Sequence, residues 1–411
     1  MSRNLGGVLV FLFFLPLLNT CIDPYTPSLA KYKSALVVEG LVTDENAPYE
    51  VILSRTFQST DSVIPKVTDA VVYISDEEGN MTNLSNSGNG IYKTDSTQFI
   101  GVPGKTYNLH IQTSDGNKYE SEPCQMTPVA GIDSIYFARE EQINSTQGKT
   151  LTGIEIYLNT DEESAGSGYF RWTYDETWKF SLPSPKLYNY IDSTDIVPLT
   201  NVKEFCWKSN ESGEILVGSI LPGQPHALEK EPVLFIQSDL SDRLTVRYSL
   251  IVKQLSVSQK EFDFWNNLQQ VNESGGSIFD TQPYSVISNI YNVDNPGETV
   301  LGYFSVSAVQ QKRIYINPVN LNGMNLPQYQ YDCTEFIVSP DDYNVNLVPG
   351  EPRWTWHRVY NLFMSAGGMT FVEPIYDANG DLYKLVFVKN ECSDCSLSGS
   401  ANKPDFWTDN P

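Results

Sequence analysis

The chain of 411 residues carries 50 acidic and 27 basic side chains, which gives a net charge of −23 at neutral pH. Nucleic-acid binding needs a lysine- and arginine-rich surface, so this charge argues against a nucleic-acid partner. It also argues against a chain that lies on an anionic lipid surface. Hydrophobic residues make up 40% of the chain, enough to build cores for the roughly two or three domains that this length allows.

The first 20 residues have the pattern of a secretory signal. Arg3 precedes an apolar run over residues 5–18, and the run stops at Asn19, Thr20 and Cys21. The run is shorter than the roughly 20 apolar residues that a membrane-spanning helix needs. We therefore predict a signal peptide at residues 1–20 and lipidation of Cys21, which would hold the mature chain to a membrane.

The next segment and the cysteines fit an exported, anchored protein. Residues 21–34 contain two prolines and no periodicity, which indicates a tether. Export exposes the remaining five cysteines to an oxidising compartment, where disulfides are the default. Five is odd, so at least one thiol stays unpaired within the chain, and Cys124 is our candidate. The disulfide candidates, with three pairings open, are Cys206, Cys333, Cys392 and Cys395.

Residues 35–128 read as a first, all-β domain. Short β-rich runs alternate with turn clusters, and residues 107–112 alternate apolar and polar side chains with period two. This spacing predicts an immunoglobulin-like or transthyretin-like sandwich.

Residues 129–411 predict a larger β-rich domain with one or two helices and a cysteine-containing tail. We expect residues 151–158 and 168–180 to form paired strands. Ser258 and Glu261 match a capping box at the start of a helix over residues 258–272. A second helix is expected over residues 356–366, before a closing hairpin.

The strand at residues 168–180 is rich in aromatic side chains. Alternation places Phe170, Trp172 and Tyr174 on one face, and one face is expected to pack in the core. A second hypothesis is an exposed surface that binds a glycan or peptide, with Tyr169, Trp172 and Trp178 as candidates.

The sequence predicts no catalytic residue, metal site or cofactor. A hydrolase needs a positioned base, but His110, His226 and His357 lie in unrelated segments and no G-x-S-x-G elbow is present. The C-x-x-C pair of Cys392 lacks the second close pair of a zinc site and the βαβ setting of a redox site. The acidic segment at residues 377–381 fits a hairpin turn better than a calcium loop.

Several stretches, in a fixed order, resemble one family. They are residues 206–207 (CW), 247–249 (RYS), 261–265 (EFDFW), 277–280 (SIFD), 282–283 (QP), 288–290 (SNI), 300–305 (VLGYFS), 392–395 (CSDC) and 403–407 (KPDFW). Together they resemble the Bacteroidota lipoproteins known as domain of unknown function 4249. The resemblance implies an outer-membrane lipoprotein, often encoded beside a TonB-dependent receptor, and it carries no catalytic residues.

Three functions follow as hypotheses. The first is a non-enzymatic accessory protein, surface-exposed or facing the periplasm, that partners a TonB-dependent receptor and helps to capture its cargo. The second is a structural or adhesive surface module without a transporter. The third is a glycan or peptide hydrolase.

Overall fold

The computed structural model describes residues 34–46, 48–57, 63–95, 97, 99–144, 148–161, 168–220, 227–273, 286–327, 332–365 and 368–409. The predicted signal peptide, Cys21, most of the predicted tether and His226 lie outside these residues. The described chain is mainly β, in agreement with the predicted fold class.

The secondary structure consists of many strands and a few helices. The strands are β1 (Leu36–Thr43), β2 (Glu50–Arg55), β3 (Val71–Asp76), β4 (Met81–Asn86), β5 (Ile91–Lys93), β6 (Thr106–Gln112), β7 (Lys118–Ser121), β8 (Cys124–Gln125), β9 (Ile132–Asn144), β10 (Lys149–Thr160), β11 (Tyr169–Ser181), β12 (Tyr188–Tyr190), β13 (Ile196–Pro198), β14 (Phe205–Glu211), β15 (Leu216–Ser219), β16 (Glu231–Gln237), β17 (Arg247–Ser256), β18 (Ile290–Asn292), β19 (Val300–Ser307), β20 (Val309–Ile316), β21 (Phe336–Val338), β22 (Met369–Tyr376) and β23 (Leu382–Lys389). The helices are α1 (Gln259–Glu273), α2 (Pro340–Asn344) and α3 (Trp356–Ser365).

The first unit is a curled sheet that nearly closes on itself. Its order is β18-β7-β6-β3-β4-β5-β2-β1-β19, with β8 beside β6. Asn289 joins the two ends: its side-chain amide donates to the carbonyl of Phe304 at 2.9 Å and accepts from the Phe304 N–H at 2.9 Å. The backbone carbonyl of Asn289 also accepts from Glu122 at 2.7 Å.

The first unit is not one continuous stretch of chain, which corrects the predicted boundary at residue 128. Strand β19 pairs in parallel with β1, and β18 pairs with β7. Phe304, Val306 and Ile290 are buried in the same core as Val38 and Leu109. Because β18 and β19 return from far along the chain, local sequence patterns cannot assign them to this unit.

The second unit packs two sheets around one core. One sheet has the order β16-β10-β9, and the other has the order β14-β11-β17-β20 with β15 beside β11. The predicted pairing of residues 151–158 with residues 168–180 is wrong, because β10 pairs with β9 and β16 while β11 pairs with β14, β15 and β17. The two segments lie in different sheets that share a core, and both carry apolar side chains for that reason.

A third, smaller part closes the chain. Strands β21, β23 and β22 form a sheet, and α3 packs on it through Tyr360 and Phe363. The second predicted helix, over residues 356–366, corresponds to α3. Strands β22 and β23 form the expected closing hairpin. Its turn is held by the Asp377 carboxylate, which accepts from the backbone N–H groups of Asn379 at 2.8 Å and Asp381 at 3.0 Å.

Helix α1 lies where the sequence predicts it, but only half of its capping box forms. The Ser258 hydroxyl oxygen accepts from the Glu261 N–H at 3.2 Å, as an N-cap does. The Glu261 carboxylate does not take its predicted place at the helix start: it is buried, with a residue exposure of 3%, and it accepts from the indole N–H of Trp265 at 3.2 Å. The side chain therefore belongs to a buried site.

Candidate ligand-binding pocket

The predicted aromatic surface does not form, because two of its three members are in the core. Trp172 is 1% exposed and donates its indole N–H to the Gln254 side chain at 2.8 Å. Trp178 is 8% exposed and donates to Asp242 at 2.9 Å. Tyr169 is half-buried, with its ring 5.2 Å from that of Phe262. The core interpretation of the Phe170, Trp172 and Tyr174 face is the correct one, since these side chains pack in the second unit.

The opposite face of β11 leads to a different site, through a residue that the sequence did not single out. The guanidinium of Arg171 stacks over the ring of Trp265 on α1, with 3.8 Å between its carbon and the ring centroid. Burial lowers the pKa of Arg171 below its usual value, and the charge of the nearby Glu261 carboxylate offsets only part of that change. An arginine stays protonated in proteins, so Arg171 places a positive charge beside α1.

Arg171 is part of the wall of a cavity of about 610 Å³ between α1 and the outer face of the first sheet. The volume is in the range of about 300–1,000 Å³ that is typical of small-molecule sites. The apolar part of the lining comes from Val37, Leu41, Ile52, Phe264, Trp265, Leu268, Val286 and Leu301, and the polar part includes Glu39, Glu50, Arg171, Tyr303 and Ser305.

Strand alternation explains why this outer face is apolar. Leu36 and Val38 of β1 are buried in the first core, which turns Val37 and Leu41 to the other side of the sheet. Gly302 lies between Leu301 and Tyr303 with a φ of +86°, and a Cβ there would collide with the carbonyl oxygen of Val38. Glycine therefore lets β19 lie close against β1.

Helix α1 covers this face only in part. Phe264 packs on Tyr303 with ring centroids 4.8 Å apart, and the ring of Trp265 lies edge-on to Phe264 at 5.1 Å. The space between these rings and the apolar side chains of β1, β2 and β19 is the pocket.

Glu261 gives the pocket a titratable neighbour. Burial raises its pKa to about 7, while hydrogen bonds from Ser305 and Trp265 and the charge of Arg171 oppose that rise. Near neutral pH this carboxyl is therefore divided between its neutral and its charged form. A buried carboxyl with such a pKa beside a cavity marks a candidate functional site.

Cys124 lies near Glu261 and is a free thiol, as the sequence predicts. Burial, together with the Glu261 charge, raises its pKa to about 12. Its sulfur accepts from the Asn289 side-chain amide at 3.2 Å and lies 3.5 Å from the carbonyl oxygen of Phe304. A protonated, hydrogen-bonded thiol of this kind is a structural residue rather than a nucleophile.

The four disulfide candidates pair in the structure. Cys206 is joined to Cys395, and Cys333 is joined to Cys392. The first bond ties the closing tail to β14, where Ser400 also pairs with Trp207. The tail then places Trp407, which is 3% exposed, against the rings of Trp207 and Tyr315.

The described histidine with the most developed surroundings is His110, on the outer face of the first sheet. Its Nε2 lies 2.8 Å from the Ser75 hydroxyl, and its Nδ1 lies 3.3 Å from Glu120. Tyr73 stacks on the imidazole ring at 4.5 Å. The buried Nδ1 has no well-aligned hydrogen-bond acceptor among the described residues. The described part of the chain also contains no cluster of side chains suited to holding a metal ion.

The protein is therefore of a β-rich, multi-sheet class, with a pocket at the contact between its first and second units. The family described as "Domain of unknown function (DUF4249)" matches residues 22–313, and the chain belongs to this family. The match includes the first unit, every pocket residue and the second unit as far as residue 313 in β20, whereas the cysteine-containing tail lies outside it. The sequence matches no curated protein. Among the described residues, no helix has the length and apolar character needed to cross a membrane.

Two of the stretches on which the family resemblance rests meet at the pocket. Residues 261–265 supply Phe264 and Trp265 to the lining and Glu261 behind it, and residues 300–305 supply Leu301, Tyr303 and Ser305. These two stretches therefore mark the site in the sequence. The sequence alone does not show that they form one pocket, because only the fold places α1 against β19.

Proposed function

We propose that this protein is a non-enzymatic binding protein, anchored to the outer membrane through Cys21, that partners a TonB-dependent receptor and captures its cargo. The single observation that carries the binding role is the pocket between α1 and the first sheet. It combines an apolar lining with a charged guanidinium and a buried carboxyl, as ligand sites commonly do.

The location and the partner have separate support. The signal-like start and Cys21 support export and lipidation. The two disulfides are consistent with an oxidising compartment such as the periplasm or the cell surface. The receptor partnership follows from the resemblance to lipoproteins that are often encoded beside such receptors.

A pull-down of the full chain from its own cells tests this proposal. After mild solubilisation, we expect a TonB-dependent receptor to co-purify and a lipid probe to label Cys21. The Cys21→Ser variant is the matched control and should lose both the label and membrane fractionation. Repeated absence of any receptor, with Cys21 labelled normally, would contradict the partnership and favour the structural or adhesive module.

One arrangement favours a hydrolase as a second candidate. Ser75, His110 and Glu120 have the order of contacts that a hydroxyl nucleophile, its base and the orienting acid require. Their position on an outer sheet face and the poorly aligned Nδ1 argue against it. A fluorophosphonate probe should label Ser75 if this candidate is correct, with Ser75→Ala unlabelled and the exposed Ser85→Ala unaffected. Absence of Ser75 labelling in the folded wild-type protein would rule out the hydrolase candidate.

A further inference from the structure

The pocket holds a positive charge with little direct compensation. Among the described residues, the Arg171 guanidinium contacts the Trp265 ring, and the Glu261 carboxylate acts on it through space without a direct ion pair. A desolvated guanidinium is costly unless an anion pairs with it. The pocket therefore has a formed cavity but no anion paired directly with Arg171 among the described residues.

The acidic residues on the rim do not supply that anion. Glu50 already pairs with Lys93 at 2.6 Å, and Glu39 is exposed to water, which screens its charge. Arg171 thus remains the cation that a ligand inside the pocket would meet. The lining of the same pocket also includes the aliphatic side chains of Leu41, Ile52, Leu268 and Leu301.

We propose that the pocket binds an apolar molecule that carries one carboxylate, with the carboxylate paired to Arg171 and the hydrocarbon part against the aliphatic lining. The guanidinium fork matches the two oxygens of a carboxylate and donates one N–H hydrogen bond to each of them in one plane. The contact with the Trp265 ring, 3.8 Å from the guanidinium carbon to the ring centroid, restrains the guanidinium before a ligand arrives. This inference rests on the proposed binding function and names the chemical class of the cargo.

A series of ligands with one chain length and three head groups tests the inference. Octanoate, octanol and octylamine are titrated calorimetrically into the full chain carrying Cys21→Ser, in buffer without detergent. We expect octanoate to bind at least about tenfold more tightly than octanol, the effect of one charge-assisted hydrogen-bonded pair. Octylamine should bind most weakly. Equal affinity for octanoate and octanol, or no binding of octanoate, would overturn the inference without any variant.

Two variants assign the preference to this pocket. Arg171→Met keeps an apolar stem over Trp265 and should reduce the ratio of octanoate to octanol affinity to about one, as expected when the charged pair is removed. Arg353→Met changes an exposed arginine in the third part and should leave the ratio unchanged. Leu301→Trp fills the cavity and should weaken all three ligands. A preserved ratio in Arg171→Met, or unchanged octanoate binding in Leu301→Trp, would place the binding elsewhere.

The two proposals fail separately. Receptor co-purification without any preference for octanoate would leave the partnership intact and reject the ligand class. A clear octanoate preference without a receptor would retain the binding site and reject the partner.

Discussion

The two faces of β11 bury charge in different ways. On one face, the Glu176 carboxylate is 1% exposed and is fully engaged: Arg243 lies at 3.3 Å, Asn210 donates at 3.0 Å and Tyr248 donates at 2.7 Å. On the other face, Arg171 lines the pocket, and the neighbouring Glu261 carboxyl is 3% exposed but makes no direct ion pair with an arginine among the described residues.

This contrast separates a buried charge that serves the packing of the core from one that belongs to a binding site. A carboxylate with a direct cation and several donors completes a core network and stabilises one packing arrangement. A carboxyl whose burial is only partly offset keeps a raised pKa, as Glu261 does behind the pocket residues Trp265 and Ser305. The first pattern indicates a core, and the second indicates a site that a ligand can complete.

The largest expected contrast is between two tryptophans on either side of this strand. Trp172→Ala empties a fully buried position in the second core, so the free energy of unfolding should fall by about 3–5 kcal/mol. Trp265→Ala removes a half-buried ring at the pocket, so its loss in the free energy of unfolding should be clearly smaller than that of Trp172→Ala. The same variant should abolish octanoate binding. Urea unfolding monitored by circular dichroism measures both. Equal losses would mean that Trp265 is a core residue and that the pocket is packing space.

The next contrast concerns the cations. Arg243→Met removes the cation that pairs with Glu176 and leaves a buried carboxylate without a counter-charge. The free energy of unfolding should therefore fall by about 3 kcal/mol. Arg171→Met removes a cation that has no direct ion pair among the described residues, so the loss should be below about 1 kcal/mol. Chemical unfolding at neutral pH compares the two variants. A larger loss in Arg171→Met would show that it serves as a structural partner of Glu261.

The smallest effect is a pH dependence that belongs to Glu261. Its folded-state pKa of about 7 lies above the usual glutamate pKa of 4.5. The folded chain therefore binds a proton that the unfolded chain has released, and Glu261 lowers the stability as pH rises from about 5 to 7. We expect about 1–3 kcal/mol from this group. Unfolding midpoints between pH 5 and pH 8 should fall less steeply in Glu261→Gln than in the wild type.

A matched carboxyl serves as the control for that pH dependence. Asp377→Asn changes an acid in an exposed hairpin turn, where hydrogen bonds from the turn lower the pKa. It should leave the slope between pH 5 and pH 8 unchanged. Identical slopes for the wild type and Glu261→Gln would show that Glu261 titrates normally.

Local patterns in the sequence predicted the elements well and their assembly poorly. The start of α1 was legible because Ser258 is a good N-cap before a periodic apolar stretch, and the inward face of β11 was legible from its alternation. The return of β19 to β1 was not legible, because that pairing joins residues more than 250 positions apart. The sequence also left the pairing of the four cysteines open.

The site escaped prediction for the same reason. Glu261 fits a capping box by spacing, and only its burial against Ser305 from a distant strand reveals another environment. Arg171 lies between the core residues Phe170 and Trp172. Strand alternation predicts that it faces away from that core, but it does not predict the contact with Trp265. The aromatic side chains are the stronger signal in this strand, but Trp172 and Trp178 are core residues.

The most direct test of the binding site couples its two charges. Glu261 is surrounded by Arg171, Trp265, Ser305, Tyr303 and Cys124, and of these groups Arg171 alone carries a charge near neutral pH. At pH 6 Glu261 is mainly neutral and leaves Arg171 free to pair with an anion, whereas at pH 8 its negative charge competes. The measurement is the octanoate affinity at pH 6 and at pH 8, in the wild type and in Glu261→Gln. We expect tighter octanoate binding at pH 6 than at pH 8 in the wild type and no pH difference in Glu261→Gln. Equal wild-type affinities at the two pH values, or a difference that persists in Glu261→Gln, would contradict it.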